Sequence, residues 1–414
     1  MKLTPPDSSI TMKSKPVICV IAGTRPEAIK LAPLVLGLRK SEKIKCQLCV
    51  TAQHRQMVDQ ALANFGIQPE VDLNLMKAGQ SLSELTARLM ESLGTHFDKS
   101  KPDLVLVQGD TTTVFCATLA AFYHHIPVGH VEAGLRTGNL LSPWPEEANR
   151  VLTSRLARLH FAPTDRSRRN LLHEGVAPES IFVTGNTVID ALLLVRDRIN
   201  AKPDFAAQVI AQLGINRDFV RRFLSGGAKF HDQNYRGKLV LVTGHRRESF
   251  GQGFENICQS IRQLVDRHPD VGVLYPVHLN PNVQAPVRRI LGDHPRIQLV
   301  EPLSYEPFVW LMEQSHFVLS DSGGVQEEAP SLGKPVLVMR DTTERPEGVD
   351  AGTCRLVGTD PETILRESAQ LLENVDEYHR RSQLRNPYGD GTASAQIIRH
   401  CENFLNSGGA KSKA

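Results

Sequence analysis

Long apolar runs are scarce in this sequence. The longest, such as residues 114–122, stop far short of the roughly 18 residues a membrane-crossing helix needs, so no bilayer span is predicted. A surplus of charge is missing as well: 48 Lys and Arg against 45 Asp and Glu leave a formal net charge of +3 at pH 7. Over 414 residues that balance points neither to nucleic acid nor to an anionic membrane surface. Cysteines are odd in number, seven scattered along the chain, which argues against a disulfide framework and for a reducing cytoplasm. Cys46 and Cys49 form a C-x-x-C, but KCQLCV reads as a strand, where residues three apart face opposite sides, so no metal or redox role is expected. Residues 1–15 are polar, carry Pro5-Pro6 and lack the apolar stretch of a secretory signal; they read as a frayed tail, as do residues 407–414.

What is present is the composition of an ordinary globular protein, 41% hydrophobic and 22% charged, in a chain long enough for two or three domains. Apolar, β-leaning runs fall at 17–22, 46–50, 104–108, 127–131, 160–162 and 181–183, then at 239–242, 271–276, 297–300, 317–319 and 336–338. Helical patterns separate most of them, among others at 26–40, 83–100, 112–124, 254–267 and 325–332. Strands interleaved with helices imply parallel sheets wound on both faces, and two such sets joined by a helical connection near 188–215 imply two Rossmann-like α/β domains facing one another. Residues 216–237, rich in Arg, Gly, His and Asn and without a clear period, read as a surface excursion. An amphipathic stretch at 394–405 follows a turn-rich NPYGDG. No internal sequence repeat accompanies the duplicated architecture.

Ligands on open parallel sheets bind beyond the carboxyl ends of the strands. The most informative such segment is DSGGVQEE at 321–328, at a strand-to-helix turn whose two glycines and free N–H groups suit a phosphate, with Glu327 and Glu328 one turn on to accept ribose hydroxyls. Taken alone, the same residues read equally well as a serine-capped helix start. Gly23-Thr24-Arg25-Pro26-Glu27, with Lys30 one turn later, is neither a dinucleotide fingerprint nor an ATP-binding P-loop; it offers cations for a diphosphate, or solvated charges on a capped helix. Acids follow two further strands, Asp110 in GDTTT and Glu132 in EAGLR, and a third, Glu146, opens the helix of PWPEEANR. Each could be a cap, but three acids converging at one sheet edge would repel one another and need a cationic ligand or a task. In the second half His245, Arg246 and Arg247 follow a strand, and Arg340 and Arg345 follow another, groups able to bind phosphate oxygens and stabilise a departing diphosphate.

GTRPEAIK, QGDTTT, HVEAGLR, PEEANR, TGHRRESFG, DSGGVQEEAPSLGKPVLVMRDTTERPE and NPYGDG together resemble the non-hydrolysing UDP-N-acetylglucosamine 2-epimerases of bacteria, over about residues 16–405. The resemblance implies a glycosyltransferase-B-like fold with the nucleotide in a central cleft: a first domain over 16–200, a nucleotide-binding domain over 201–390, and a C-terminal helix at 391–406 crossing back to the first. It implies that Asp110, Glu132 and Glu146 are the catalytic acids and that His245 lies near the leaving diphosphate. It assigns Arg25 and Lys30 to the diphosphate, Ser322, Gly323, Gly324, Glu328 and Arg345 to the nucleotide, and Phe308 to the uracil. Leu303 stands where a close relative has a polar side chain and receives no hydrogen bond. Gln53, Arg55 and Arg246 lie in segments resembling those that hold a second, regulatory UDP-sugar. A homodimer, a role in surface polysaccharide supply, and the absence of any cofactor or metal are implied in the same way.

The implied chemistry makes sense of the acids. The sugar's C2 proton is not acidic, so its loss has to be coupled to departure of UDP from C1, giving 2-acetamidoglucal; re-addition with protonation on the other face gives UDP-N-acetylmannosamine. That route needs a base, an acid and a stabilised diphosphate. A glycosyltransferase of the same architecture would share the cradle but use one base. A hydrolysing epimerase would release free N-acetylmannosamine, and a UDP-sugar sensor would need the cations but not the acids.

Overall fold

The runs VICVIA and LVLVQ are apolar at successive positions, the pattern of strands covered on both faces, and both are buried nearly throughout. The computed structural model describes residues 15–51, 55–77, 79–224 and 237–409, apart from the side chains of residues 55 and 56. It contains two parallel sheets with helices on both faces. The first comprises β1 (Val17–Ala22), β2 (Lys45–Val50), β3 (Val71–Asp72), β4 (Leu104–Gln108), β5 (Val128–Val131), β6 (Leu159–Ala162) and β7 (Ile181–Val183), in the order β3-β2-β1-β4-β5-β6-β7. The second comprises β8 (Lys238–Thr243), β9 (Val271–Pro276), β10 (Ile297–Val300), β11 (Phe317–Ser320), β12 (Val336–Val338) and β13 (Cys354–Leu356), in the order β10-β9-β8-β11-β12-β13. Strand order reverses between β1 and β4 and again between β8 and β11. These are the two places where a doubly wound sheet opens a crevice, and GTRPE, GDTTT, GHRRE and DSGG stand at their mouths.

β3 and β13 were not expected from the sequence. They are edge strands of two and three residues, too short to display alternation. The expected surface excursion at 216–237 is corrected over its first part. Arg217–Phe223 is a helix, and Phe219 and Phe223, one turn apart with ring centroids 4.9 Å from each other, are buried among arginines that disguise the pattern. The Phe223 ring lies so close to Gly272 in β9 that a Cβ there would come within 2.7 Å of it. Residues 225–236, like 1–14 and 410–414, lie outside the described residues.

Helix Thr187–Asn200 joins the halves. Its Ala191, Leu192 and Val195 belong to one continuous apolar core with Ile18 and Val20 of β1 and with Val309 and Trp310 of helix Tyr305–Gln314 in the second half. The C-terminal helix Ala393–Asn406 crosses back to the first half, where it lies on helix Arg25–Lys40. Gly37 permits that approach, since a Cβ there would come within 2.5 Å of Ile398 Cδ1, and the Ser41 hydroxyl donates to Glu402 at 3.0 Å. The returning helix has no side-chain cap of its own. Instead the carboxylate of Asp190 accepts the N–H groups of Ala393 at 3.2 Å and Ser394 at 2.7 Å. Asp190→Ala leaves both buried donors without an acceptor and is expected to cost about 1.5–3 kcal/mol, seen as a lower urea midpoint for the full chain; an unchanged midpoint would show that this cap contributes nothing.

Candidate active site

At the first crevice the loops after β1 and β4 are tied by Glu27. Its Oε2 accepts the N–H groups of Gly23 at 2.6 Å and Thr24 at 2.8 Å, while Oε1 accepts the Thr111 hydroxyl. Burial pushes the Glu27 carboxyl up to about 7 against these three hydrogen bonds, with the Asp110 charge adding to the rise. Two cations follow on the same helix: Arg25, which makes no ion pair among the described residues, and Lys30, whose Nζ lies 2.6 Å from Glu132 Oε1.

Glu132 follows β5 with φ at +66°, a left-handed conformation that a non-glycine residue adopts only when its surroundings enforce it. The side chain supplies the enforcement, accepting Lys30, the amide of Gln108 and, at 2.9 Å, the amide of Asn186. Burial alone would raise its pKa, but Lys30, Arg345 and these hydrogen bonds outweigh it and hold the group ionised, below the usual carboxylate range. Asp110 sits differently. Its carboxylate accepts the Arg150 guanidinium and its carbonyl accepts the Asn149 amide at 3.0 Å. Both donors come from helix Glu146–Leu156, on which Glu146 lies three and four residues earlier and so on the same face. Glu146 is half-buried and without an ion pair among the described residues, whereas Glu147 is buried and accepts the N–H groups of Thr137 and Gly138 at 2.9 and 3.0 Å. The three acids thus come to one edge: Glu132 Oε2 is within 3.8 Å of where a Cβ on Gly109 would stand, next to Asp110, and the helix carrying Glu146 supplies Asp110 with its partners.

At the second crevice, Asp321 Oδ2 accepts the N–H groups of His245 at 2.6 Å and Arg246 at 2.7 Å, fixing the loop after β8 to the loop after β11. The exposed His245 imidazole has Nδ1 3.4 Å from Asp321 Oδ1 and stacks on His278 at 5.3 Å. Partial burial lowers its pKa, with His278 and Arg246 adding to the effect and Asp321 opposing it. Ser322 precedes helix Gly323–Glu328 and makes no side-chain cap, so its hydroxyl is not committed to the helix start. Glu328, at the end of that helix, is buried and accepts the Tyr305 hydroxyl at 2.6 Å; burial and the neighbouring Glu327 charge push it up to about 7, against the Tyr305 hydrogen bond and Lys30. Phe308 stands one turn after Tyr305, half-buried.

The two crevices meet through Glu327. Its carboxylate accepts Arg345 Nε, lies 3.2 Å from the Asn186 amide that also serves Glu132, and lies 4.0 Å from Lys30. Beside this cluster, Thr164 and Tyr388 donate their hydroxyls to Glu347 at 2.8 and 3.3 Å, a further link across the halves. A polar cavity of 710 Å3 lies alongside, lined by Arg136, Asn139 and Arg166 of the first half and Arg246, Arg340 and Glu344 of the second. No group of three or more His, Cys, Asp or Glu side chains among the described residues could hold a metal ion.

Of the residues singled out in the sequence, Lys30, Glu132 and Arg345 are drawn into one buried network, Asp110 and Glu146 flank it from the first half, and His245, Ser322–Gly324 and Glu328 line the second crevice. Gln53 lies outside the described residues, as does the side chain of Arg55, which opens helix Arg55–Asn64. Arg246 borders the cavity with its Nη1 4.0 Å from Glu344. Asn186, Arg150 and Asp321 carried no role in the sequence, and Glu327 was read there only as a possible acceptor for ribose hydroxyls, not as the bridge between the crevices. Asn186 had a signal, since it follows β7 immediately before a helix, where its side chain caps Val188 at 3.1 Å and leaves its amide free for the acids.

The family model described as UDP-N-acetylglucosamine 2-epimerase matches residues 37–402. The chain is 55% identical over 386 residues to the UDP-N-acetylglucosamine 2-epimerase of Escherichia coli K12, covering 93% of this chain and 98% of that one. It superposes with TM-score 0.82, at 48% identity over 94% of its length and 100% of the other chain, on the Neisseria meningitidis UDP-GlcNAc 2-epimerase solved with UDP-GlcNAc bound. A Staphylococcus aureus structure solved with UDP gives TM-score 0.80 at 43% identity, over 94% and 97% of the two chains.

Removing one partner from a buried ion pair strands the other charge, at a typical cost of about 3–5 kcal/mol. Glu327→Ala is therefore expected to lower stability by about that amount through Arg345 and Lys30. Denaturant unfolding that leaves the variant within experimental error of the parent would show that the network is not stabilising.

Proposed function

The chain belongs to the UDP-N-acetylglucosamine 2-epimerase family, and on that premise we propose that it interconverts UDP-N-acetylglucosamine and UDP-N-acetylmannosamine by eliminating and re-adding UDP. The observation that carries this reading is the convergence, across two facing crevices, of three acids on one side and a histidine with a glycine turn on the other. UDP sits on the second half in this proposal, its diphosphate over Ser322–Gly324 beside His245 and Arg25, its ribose on Glu328 and its uracil near Phe308. The sugar ring then reaches the acids.

The acids are not equivalent. Glu132 has its oxygens filled by Lys30, Gln108 and Asn186 and is held ionised, so it suits orienting and charge balance better than proton donation. Asp110 and Glu146 are the pair left to move protons at C2, with Arg150 and Asn149 fixing Asp110. Closure of the cleft keeps UDP and 2-acetamidoglucal together and excludes water. The proposal extends to a second UDP-sugar acting as activator near Arg246, which the neighbouring polar cavity supports, and to a homodimer working in the cytoplasm for surface polysaccharide supply.

Incubation with UDP-N-acetylglucosamine alone in heavy water, followed by proton NMR, is expected to give deuterium at C2 and a mixture of both UDP-sugars. Free N-acetylmannosamine would overturn this in favour of hydrolysis, and no change would overturn both. Asp110→Asn, Glu132→Gln and Glu146→Gln should each cut kcat by at least about 10²-fold while sparing UDP binding; near-parental turnover in all three would refute the acid cluster.

Glu328 gives a pH test with a definite sign. A carboxyl raised to about 7 in the free protein is protonated below that pH, and ribose hydroxyls are better held by the ionised form. Affinity for UDP-N-acetylglucosamine, measured by calorimetry, should therefore rise as pH passes upward through about 7 and level off above it, and the rise should vanish in Glu328→Gln. An identical pH profile in both proteins would exclude Glu328 from the nucleotide site.

A further inference from the structure

Away from the cleft, a cavity of 280 Å3 lies between the edge strand β13 and helices Pro361–Glu373 and Val375–Ser382. Four arginines and two glutamates line it, an excess of two positive charges. Three of the arginines are exposed and already paired: Arg380 Nε lies 2.7 Å from Glu377, while Arg355 and Arg366 each lie 3.5 Å from Glu367. The fourth, Arg381, is only 5% exposed and makes no hydrogen bond or ion pair among the described residues; its Nη2 is buried and unpartnered. Nη2 carries two N–H donors, and leaving them buried without an acceptor is unfavourable. An acceptor oxygen entering the cavity from solution would complete them.

We propose that this cavity binds a dianionic phosphate group, that of inorganic phosphate or of a small phosphate monoester, with Arg381 as the buried anchor and Arg355 and Arg366 at the rim. The charge excess selects for phosphate, because a phosphate near neutral pH carries about −1.5 to −2 and offers acceptor oxygens in the geometry of a guanidinium fork. A single carboxylate would neutralise only half the excess. Burial pushes the Arg381 pKa down despite the pull of Glu377 and Glu367, consistent with a cation short of counter-charge. The cavity is separate from the cleft but not remote from it. Cys354, on its wall, donates its thiol hydrogen to the Gln326 carbonyl at 3.6 Å, and Gln326 lies on helix Gly323–Glu328.

The test uses the full chain with UDP at saturation, so that the cleft cannot take up phosphate; failure of UDP to bind would appear in its own titration and would count against the nucleotide reading alone. Calorimetric titration with inorganic phosphate in one arm and glucose 6-phosphate in the other, at matched ionic strength, is expected to give one-to-one binding in at least one arm, which identifies the source. Arg381→Met should weaken that binding by at least about tenfold, the lower end of what a charge-assisted hydrogen bond contributes. If Arg381→Met does not fold, the surface double variant Arg355→Ala/Arg366→Ala should still weaken it several-fold. No heat in either arm at tens of millimolar, or undiminished affinity in the folded variants, would overturn the proposal.

Discussion

Two carboxylates, one from each half of the molecule, are held by the same donors, and the rest of the site is arranged around that fact. Glu132 and Glu327 would repel one another in a buried setting; Lys30, Asn186 and Arg345 between them turn repulsion into attachment. Two cations and two anions make the cluster neutral, and Asn186 reaches both acids with one amide group. The arrangement explains why Glu132 can hold a left-handed backbone, and why Lys30 and Arg345, cations beside the proposed nucleotide site, are each paired with a carboxylate in this structure.

Burial has opposite outcomes among the acids of the site. Glu132, against Lys30 and Arg345, is held below the usual carboxylate range, whereas Glu328 meets a tyrosine hydroxyl and, among the described residues, no cation within ion-pairing distance, and its carboxyl is pushed up to about 7. Glu27, served by backbone N–H groups and a threonine, is pushed equally far. A neutral hydrogen-bond donor satisfies an oxygen without cancelling a charge, and that difference sorts carboxyls that are fixed anions from carboxyls whose protonation can follow pH.

Much of this was legible beforehand because strands covered on both faces announce themselves by unbroken apolar runs, and because strand-end motifs fall at the crevices of a doubly wound sheet. The edge strands Val71–Asp72 and Cys354–Leu356 were not, being too short to show a period. Helix Arg217–Phe223 was hidden because its two aromatic anchors are embedded among arginines. At the site, residue types could be read but pairings could not. Nothing in TGNTVID says that Asn186 will find Glu132 and Glu327, and nothing in PEEANR says that Arg150 will turn to Asp110, since both contacts are made by folding distant segments together. Arg381 was invisible for the same reason, since nothing in YHRRS says that Arg380 will stay exposed and pair with Glu377 while Arg381 is buried with its Nη2 unpartnered.

The C-terminal helix lies on a helix that begins at Arg25. A ribosome makes the first sheet and its covering helix before the second sheet, yet Gly37, the partner of Ile398, waits uncovered until the second half has emerged. The half synthesised first is thus completed only after the second half has been made. Loss of residues 393–406 would therefore damage the acid-bearing half rather than the half that precedes them in the sequence.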